Sequence, residues 1–178
     1  MNIIAICGSP RRGNTEFALR KLLTKAEELG HKTELVLLKD KKIEHCRGCL
    51  SCDDTGTCPI LDDMNSITER MTANDVIIFG SPNYFNNVSG LMKDFFDRLN
   101  PAYKNKSLGG KKLISLCVGA SKNGTYPEKM TEVMSSVADL HGIDFVGDLY
   151  LNAKNAQGLE NDPENIKKID DFTVSVLS

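Results

Sequence analysis

The stretch Ile3-Ile4-Ala5-Ile6-Cys7-Gly8-Ser9-Pro10-Arg11-Arg12-Gly13-Asn14-Thr15 decides the fold. Its first five residues are apolar, rich in β-branched side chains and not alternating with polar ones, as in a parallel strand covered on both faces. A polar, glycine-bearing turn follows. Beyond it Leu19, Leu22, Leu23, Ala26 and Leu29 recur at helical spacing, and Gly30 is placed to end the helix in a left-handed turn. A buried strand, a tight turn and a helix are the opening of a strand-helix-strand unit.

The same alternation continues along the chain. Residues 33–38, 76–79, 113–118 and 145–151 read as further strands. Residues 62–71 read as a helix capped by Asp62 or Asp63, with Met64, Ile67 and Met71 facing inward. Val88, Leu91, Met92, Phe95, Phe96 and Leu99 mark another, which Pro101 stops. A third helix runs from Pro127 to near Gly142. The last runs from Pro163 to the C-terminus, with Asp162 as its cap and Ile166, Ile169 and Val176 as anchors. These stripes are core faces rather than cofactor boxes. Residues 100–110 read as an exposed loop, and residues 45–61 as a long connection without periodicity of its own. The resulting βαβαβαβαβα order predicts an α/β three-layer sandwich: a five-stranded parallel sheet with helices on both faces and strand order 2-1-3-4-5.

Size and charge narrow the possible functions. A chain of 178 residues fits one domain, expected over residues 1–178 with a cysteine-rich loop at about 45–61. A net charge of −2 without a dense Lys/Arg run gives no reason to expect nucleic acid or an anionic membrane as partner. The N-terminal apolar run is too short to span a bilayer and lacks a basic leader, so a cytoplasmic location is expected. There Cys7, Cys46, Cys49, Cys52, Cys58 and Cys117 would stay reduced, favouring metal binding or redox chemistry over disulfides. Cys7 and Cys117 fall in strands and read as small core residues.

Ligands of such sheets sit beyond the carboxyl ends of the strands. The first loop there, Gly8 to Thr15, combines glycines, the side-chain donors Ser9, Asn14 and Thr15, an Arg11-Arg12 pair and the start of a helix. That is the chemistry of a phosphate site, although an ordinary turn with a surface arginine pair has the same local composition. It matches neither the dinucleotide fingerprint nor a Walker loop. The second, Gly80-Ser81-Pro82-Asn83-Tyr84-Phe85-Asn86-Asn87, offers backbone amides for the polar edge of a ring and aromatics for its face, or simply aromatics that plug the sheet end. A third, residues 119–126, closes the other side. Together they suit a phosphorylated, flat, aromatic ligand.

These loops, with Cys46 to Cys58, Asp62-Asp63-Met64, Lys93 and Asp97-Arg98, resemble the iron-sulfur flavoprotein and NAD(P)H-dependent FMN reductase family of flavodoxin-like proteins. The resemblance runs from the first residue to about Gly124. It implies FMN, with Ser9, Pro10, Arg11, Gly13, Asn14 and Thr15 around its phosphate. Ser81, Pro82, Asn83, Tyr84, Phe85 and Asn86 would lie around the isoalloxazine, with Gly119 contributing from the third loop. Lys93, Asp97 and Arg98 are then helix-surface or ion-pair residues supporting the loop. A homodimer or homotetramer is implied as well. Cys46-x2-Cys49-x2-Cys52-x5-Cys58 resembles cubane ligation and matches the family's spacing, which implies a [4Fe-4S] cluster; zinc, or free or oxidised thiols, are the alternatives.

The expected function is electron transfer between a one-electron donor such as ferredoxin and a small acceptor. No catalytic acid or base is assigned. A cluster-free flavin or quinone reductase using NAD(P)H as reductant is the rival. A non-catalytic electron carrier or metal-binding scaffold is the third reading.

Overall fold

The computed structural model describes residues 1–120, 125–153, 155 and 157–178. Five parallel strands, β1 (Asn2–Cys7), β2 (Lys32–Leu37), β3 (Val76–Pro82), β4 (Lys112–Gly119) and β5 (Asp144–Asn152), form one sheet in the order β2-β1-β3-β4-β5. This is the predicted order. The helices are α1 (Asn14–Glu28), α2 (Ser51–Thr55), α3 (Met64–Ala73), α4 (Gly90–Asp97), α5 (Asn100–Asn105), α6 (Thr125–His141) and α7 (Pro163–Leu177).

Each central strand buries both of its faces. Ile4, Ile6, Ile77, Phe79 and Leu113 point toward α3, α4, α5 and α6, and Phe79 meets Phe95 edge to face with ring centroids 5.9 Å apart. Ile3, Ala5, Val76, Ile78, Ile114 and Leu116 point the other way, toward α1 and α7. Each such side chain contributes roughly 1.5–3 kcal/mol by leaving water, so strands covered on both sides read as unbroken apolar runs.

Local signals place several helix ends. After α1 the amide of Gly30 donates to Glu27 O at 2.9 Å and that of His31 to Ala26 O at 3.1 Å, while Gly30 takes φ +85°, the left-handed turn that glycine permits. Asp162 caps α7 by accepting from the Asn165 amide at 3.1 Å, with Pro163 in the first turn.

Three expectations are corrected. Pro101 does not end a helix but sits in the first turn of α5, where its missing N–H costs nothing; residues 100–110 are therefore partly helical, and they bury Ala102 and Leu108. The cysteine-rich connection contains α2. Of the two cap candidates, Asp62 accepts from the Met64 amide at the start of α3 at 3.0 Å, while Asp63 at the N-cap position turns its carboxylate to the Lys42 amide at 2.7 Å. Of the two readings open for Arg98, helix surface or ion pair, the ion pair holds: Arg98 is among the largest fully buried side chains and bonds Asp62.

Asp62 and Arg98 form a pair that is closed off from water. Nη1 donates to Asp62 Oδ2 at 2.7 Å and to Glu44 O at 2.7 Å, and Nη2 donates to Asp62 Oδ1 at 2.9 Å. Asp62 also accepts from the amides of Glu44 at 2.9 Å and Met64 at 3.0 Å. Burial pushes the Asp62 carboxyl up, but the Arg98 hydrogen bonds, these amides and the Arg98 charge outweigh it and hold it below the ordinary Asp range.

Replacing Arg98 by Met strands a buried carboxylate, so unfolding free energy from urea titration should fall by about 3–5 kcal/mol. Because the Asp62 carboxyl is held below its unfolded value, its contribution is whole above the ordinary Asp range and is lost as pH falls through the lowered folded value. Asp62→Asn should flatten that acid-side dependence.

Candidate functional site

At the carboxyl edge of the sheet the loops after β1 and β3 are fastened to each other. The Gly8 amide donates to Gly80 O at 2.8 Å. Ser89, the N-cap of α4, donates its hydroxyl to Gly8 O at 2.5 Å and accepts from the Met92 amide at 3.1 Å, while its own amide donates to Ser81 Oγ at 3.0 Å. Gly8 is demanded by this approach, since a Cβ there would stand 2.7 Å from Met92 Cβ.

Beside this seam lies a hollow of about 240 Å³ lined by residues from four segments. Ser9, Arg11, Asn14 and Thr15 come from the first loop and helix start, and Pro82, Asn83 and Tyr84 from the second. Gly119 and Ala120 come from the end of β4, and Ala153 and Asn155 from beyond β5. Gly13 holds the N-cap of α1 with no side chain bonded across the helix end, so the first-turn amides keep their donors for a ligand.

Other residues of these loops take supporting places. Pro10 is exposed on the turn, and Ser9 Oγ donates to Arg11 O at 2.8 Å, which shapes it. Ser81 is fully buried and donates to Pro82 O at 2.9 Å. Asn86 donates its amide to Asn83 Oδ1 at 2.9 Å. Phe85 and Asn86 both take positive φ, and the Phe85 ring is wholly exposed at the tip, away from the hollow. Residues 121–124 of the expected third loop lie outside the described residues.

Three contributors carried no readable local signal. Ser89 is one. Asn155 is another: its carbonyl accepts from Asn14 Nδ2 at 2.6 Å, while Asn14 Oδ1 accepts from the Leu159 amide at 3.2 Å. Asn14 thus ties the helix start to a segment more than 140 residues away. Tyr150 is the third. Its hydroxyl packs over Gly119, is buried, and has no partner among the described residues.

The four clustered cysteines line a second hollow, of about 390 Å³, together with Arg98 and Asn100. Cys46 and Cys49 are exposed, Cys58 is half-buried and Cys52 is buried. Hydrogen bonds from Ser51 lower the Cys49 thiol from its ordinary value, with a smaller contribution from the Arg47 charge. Asn100 Nδ2 donates to Cys52 Sγ at 2.9 Å. Among the described residues no three His, Cys, Asp or Glu side chains converge closely enough to hold a metal ion, so the thiols share a hollow without meeting at a point. Cys7 and Cys117 stand apart in the sheet, where burial pushes their thiols up to about 11 and about 12. Beside the loop His45 pairs with Asp94 at 2.7 Å, a hydrogen bond that raises its pKa.

A five-stranded 2-1-3-4-5 sheet with polar loops converging on one carboxyl-edge hollow defines the flavodoxin-like class. Residues 1–158 match the model of the NADPH-dependent FMN reductase family, and the chain belongs to that family of flavin-dependent oxidoreductases. An iron-sulfur flavoprotein of Methanocaldococcus jannaschii is 38% identical over 149 residues, 83% of this chain and 77% of that protein. One of Methanosarcina thermophila is 37% identical over 150 residues, 83% of this chain and 78% of that protein. The solved structure of a flavone reductase superposes with a TM-score of 0.79 at 18% identity, covering 99% of this chain and 62% of that one, a likeness of fold. Among the described residues no helix is long and apolar enough to cross a membrane.

Ser89→Ala uncaps α4 and leaves the buried Gly8 carbonyl without its donor. We expect a loss of about 1–3 kcal/mol, read as a lower urea midpoint at unchanged slope.

Proposed function

We propose that this chain binds FMN in the carboxyl-edge hollow and a [4Fe-4S] cluster at Cys46, Cys49, Cys52 and Cys58, and relays electrons between a one-electron donor such as ferredoxin and a small acceptor. The observation that carries the reading is the convergence of Ser9, Arg11, Asn14, Thr15, Pro82, Asn83, Tyr84 and Gly119 on one hollow beside an uncapped helix start. The residues fit the flavin. Free first-turn amides and Arg11 suit a dianionic phosphate, and the half-exposed Tyr84 offers an aromatic face. The cysteine hollow fits the cluster through its donor set: four thiols, one of them already receiving an amide N–H, beside a buried guanidinium nitrogen with no partner among the described residues.

When bound, FMN supplies a carrier that exchanges electrons singly or in pairs, and a [4Fe-4S] cluster one that exchanges them singly. The protein's own residues bind and orient. The α1 amides and Arg11 hold the phosphate, Asn14 braces the helix start against Asn155, and the Ser89 seam fixes the two loops that flank the ring. No side chain needs to move a proton for electron exchange, and none is assigned that role. The wholly exposed Phe85 supports a second copy of the chain as neighbour, in a homodimer or homotetramer. Six unpaired cysteines support a reducing, cytoplasmic setting.

The second reading, a cluster-free flavin or quinone reductase with NAD(P)H as reductant, is favoured by the family's own chemistry and by thiols that do not meet at a point.

Two measurements test these readings, the first the phosphate site that both share and the second the cluster that divides them. Arg11→Ala should weaken FMN binding by roughly tenfold and riboflavin binding hardly at all, because only FMN carries the phosphate. Equal losses for both would overturn the phosphate assignment. Anaerobic purification with iron, sulfide and flavin assays should find iron in the wild type and none in Cys52→Ala, with FMN retained in both. An iron-free, FMN-replete wild type turning over with NADPH would sink the cluster and establish the second reading.

A further inference from the structure

Two side chains outside the cysteine run bring nitrogen donors to it. Asn100 opens α5, and its Nδ2 donates to Cys52 Sγ at 2.9 Å as well as to Asp53 Oδ1 at 3.2 Å. Arg98 follows the last turn of α4 and lines the same hollow as Cys58. Its Nη1 and Nη2 are taken up by Asp62 and the Glu44 carbonyl. Its Nε–H is buried and meets no acceptor among the described residues. Buried N–H groups are almost always paired, so an N–H short of an acceptor beside a thiol-lined hollow points to sulfur as its partner when the site is filled.

The chemistry of that acceptor follows from the surroundings. The hollow is lined by four cysteines, and Cys58 is a side-chain hydrogen-bond and charge partner to Arg98. Asp62 already balances the guanidinium, so the orphan N–H faces the sulfurs as a directed dipole more than as a free charge. Arg98 and Asn100 flank Leu99, which is fully buried and whose amide donates to Phe96 O at 3.0 Å. The two donors therefore stand on a fixed corner between α4 and α5, while Cys46 and Cys49 lie on the exposed arm of the loop.

We propose that Arg98 and Asn100 are positioning residues that set the reduction potential of the cysteine site, Asn100 through its N–H···S bond to Cys52 and Arg98 by presenting Nε–H to sulfur at Cys58. The proposal rests on the cluster reading of the four thiols. One added electron raises the negative charge on the sulfurs, with no bond broken and no proton moved. N–H donors strengthen their bonds as that charge grows, so they favour the reduced form and raise the potential.

The test is a midpoint titration of the iron-sulfur signal in the anaerobically reconstituted full chain, followed separately from the flavin absorbance. Asn100→Leu keeps the volume and removes the donor. Arg98→Lys keeps the charge opposite Asp62 and removes Nε–H. Each should shift the redox equilibrium toward the oxidised form by about tenfold, ~59 mV lower for one electron, with the flavin midpoint unmoved. Asn100→Ser, which retains a donor, should recover part of the shift. Failure of the wild type to take up iron and sulfide overturns the cluster reading and this proposal with it. Wild-type uptake with an unshifted potential in Asn100→Leu overturns this proposal alone, and that variant decides should Arg98→Lys fail to fold.

Discussion

Arg98 is the point at which the cysteine loop is fastened to the sheet layer. Its guanidinium is shut away from water against the Asp62 carboxylate, and both groups reach further: Arg98 to the Glu44 carbonyl, Asp62 to the amides of Glu44 and Met64. One pair therefore fixes the end of α4, the start of α3 and the segment that leads into the cysteines. A charge pair so deeply buried is tolerable only when its hydrogen bonds are nearly complete, and here every guanidinium nitrogen but one is engaged. The exception belongs to a side chain that lines the cysteine hollow. The interaction that anchors the loop thus also leaves a donor where the loop's sulfurs gather.

The second constraint is the narrowness of the carboxyl edge. A parallel sheet delivers all its strands to the same edge, and β1 and β3 are neighbours there, so their loops must share a small space. Gly8 lets α4 approach, and the Ser89 hydroxyl spans the gap to Gly8 O while its amide reaches Ser81. What remains open beside the seam is a hollow with helix amides at one end and Tyr84 at the other.

The two hollows differ in how far they are built before a ligand arrives. The carboxyl-edge hollow has its donors in place, held by hydrogen bonds among loops that belong to the sheet. The cysteine hollow has two sulfurs set against the α4–α5 corner and two on an exposed arm, so the proposed cluster would need the arm to close. On the function proposed above, that arrangement separates a fixed site for a flat ring from a site assembled around what it binds.

By itself the sequence determined the sheet, because strands buried on both faces must be continuously apolar and the helices between them must repeat every three to four residues. It also marked the first two loops and the cysteine run, since glycines, short polar side chains and thiols in close succession are a local record of local chemistry. Pro101 was misread because a proline that stops one helix and a proline that starts another have the same neighbours in the chain. Asn155, Tyr150, Ser89, Asn100 and the approach of Arg98 to the cysteines, beyond its ion-pair role, were decided only by the tertiary structure. Their partners lie up to 141 residues away, and a single Asn or Arg carries no periodicity to betray where packing will bring it. Residue spacing records what a segment can do alone; which distant group completes it is set by the sheet that holds both.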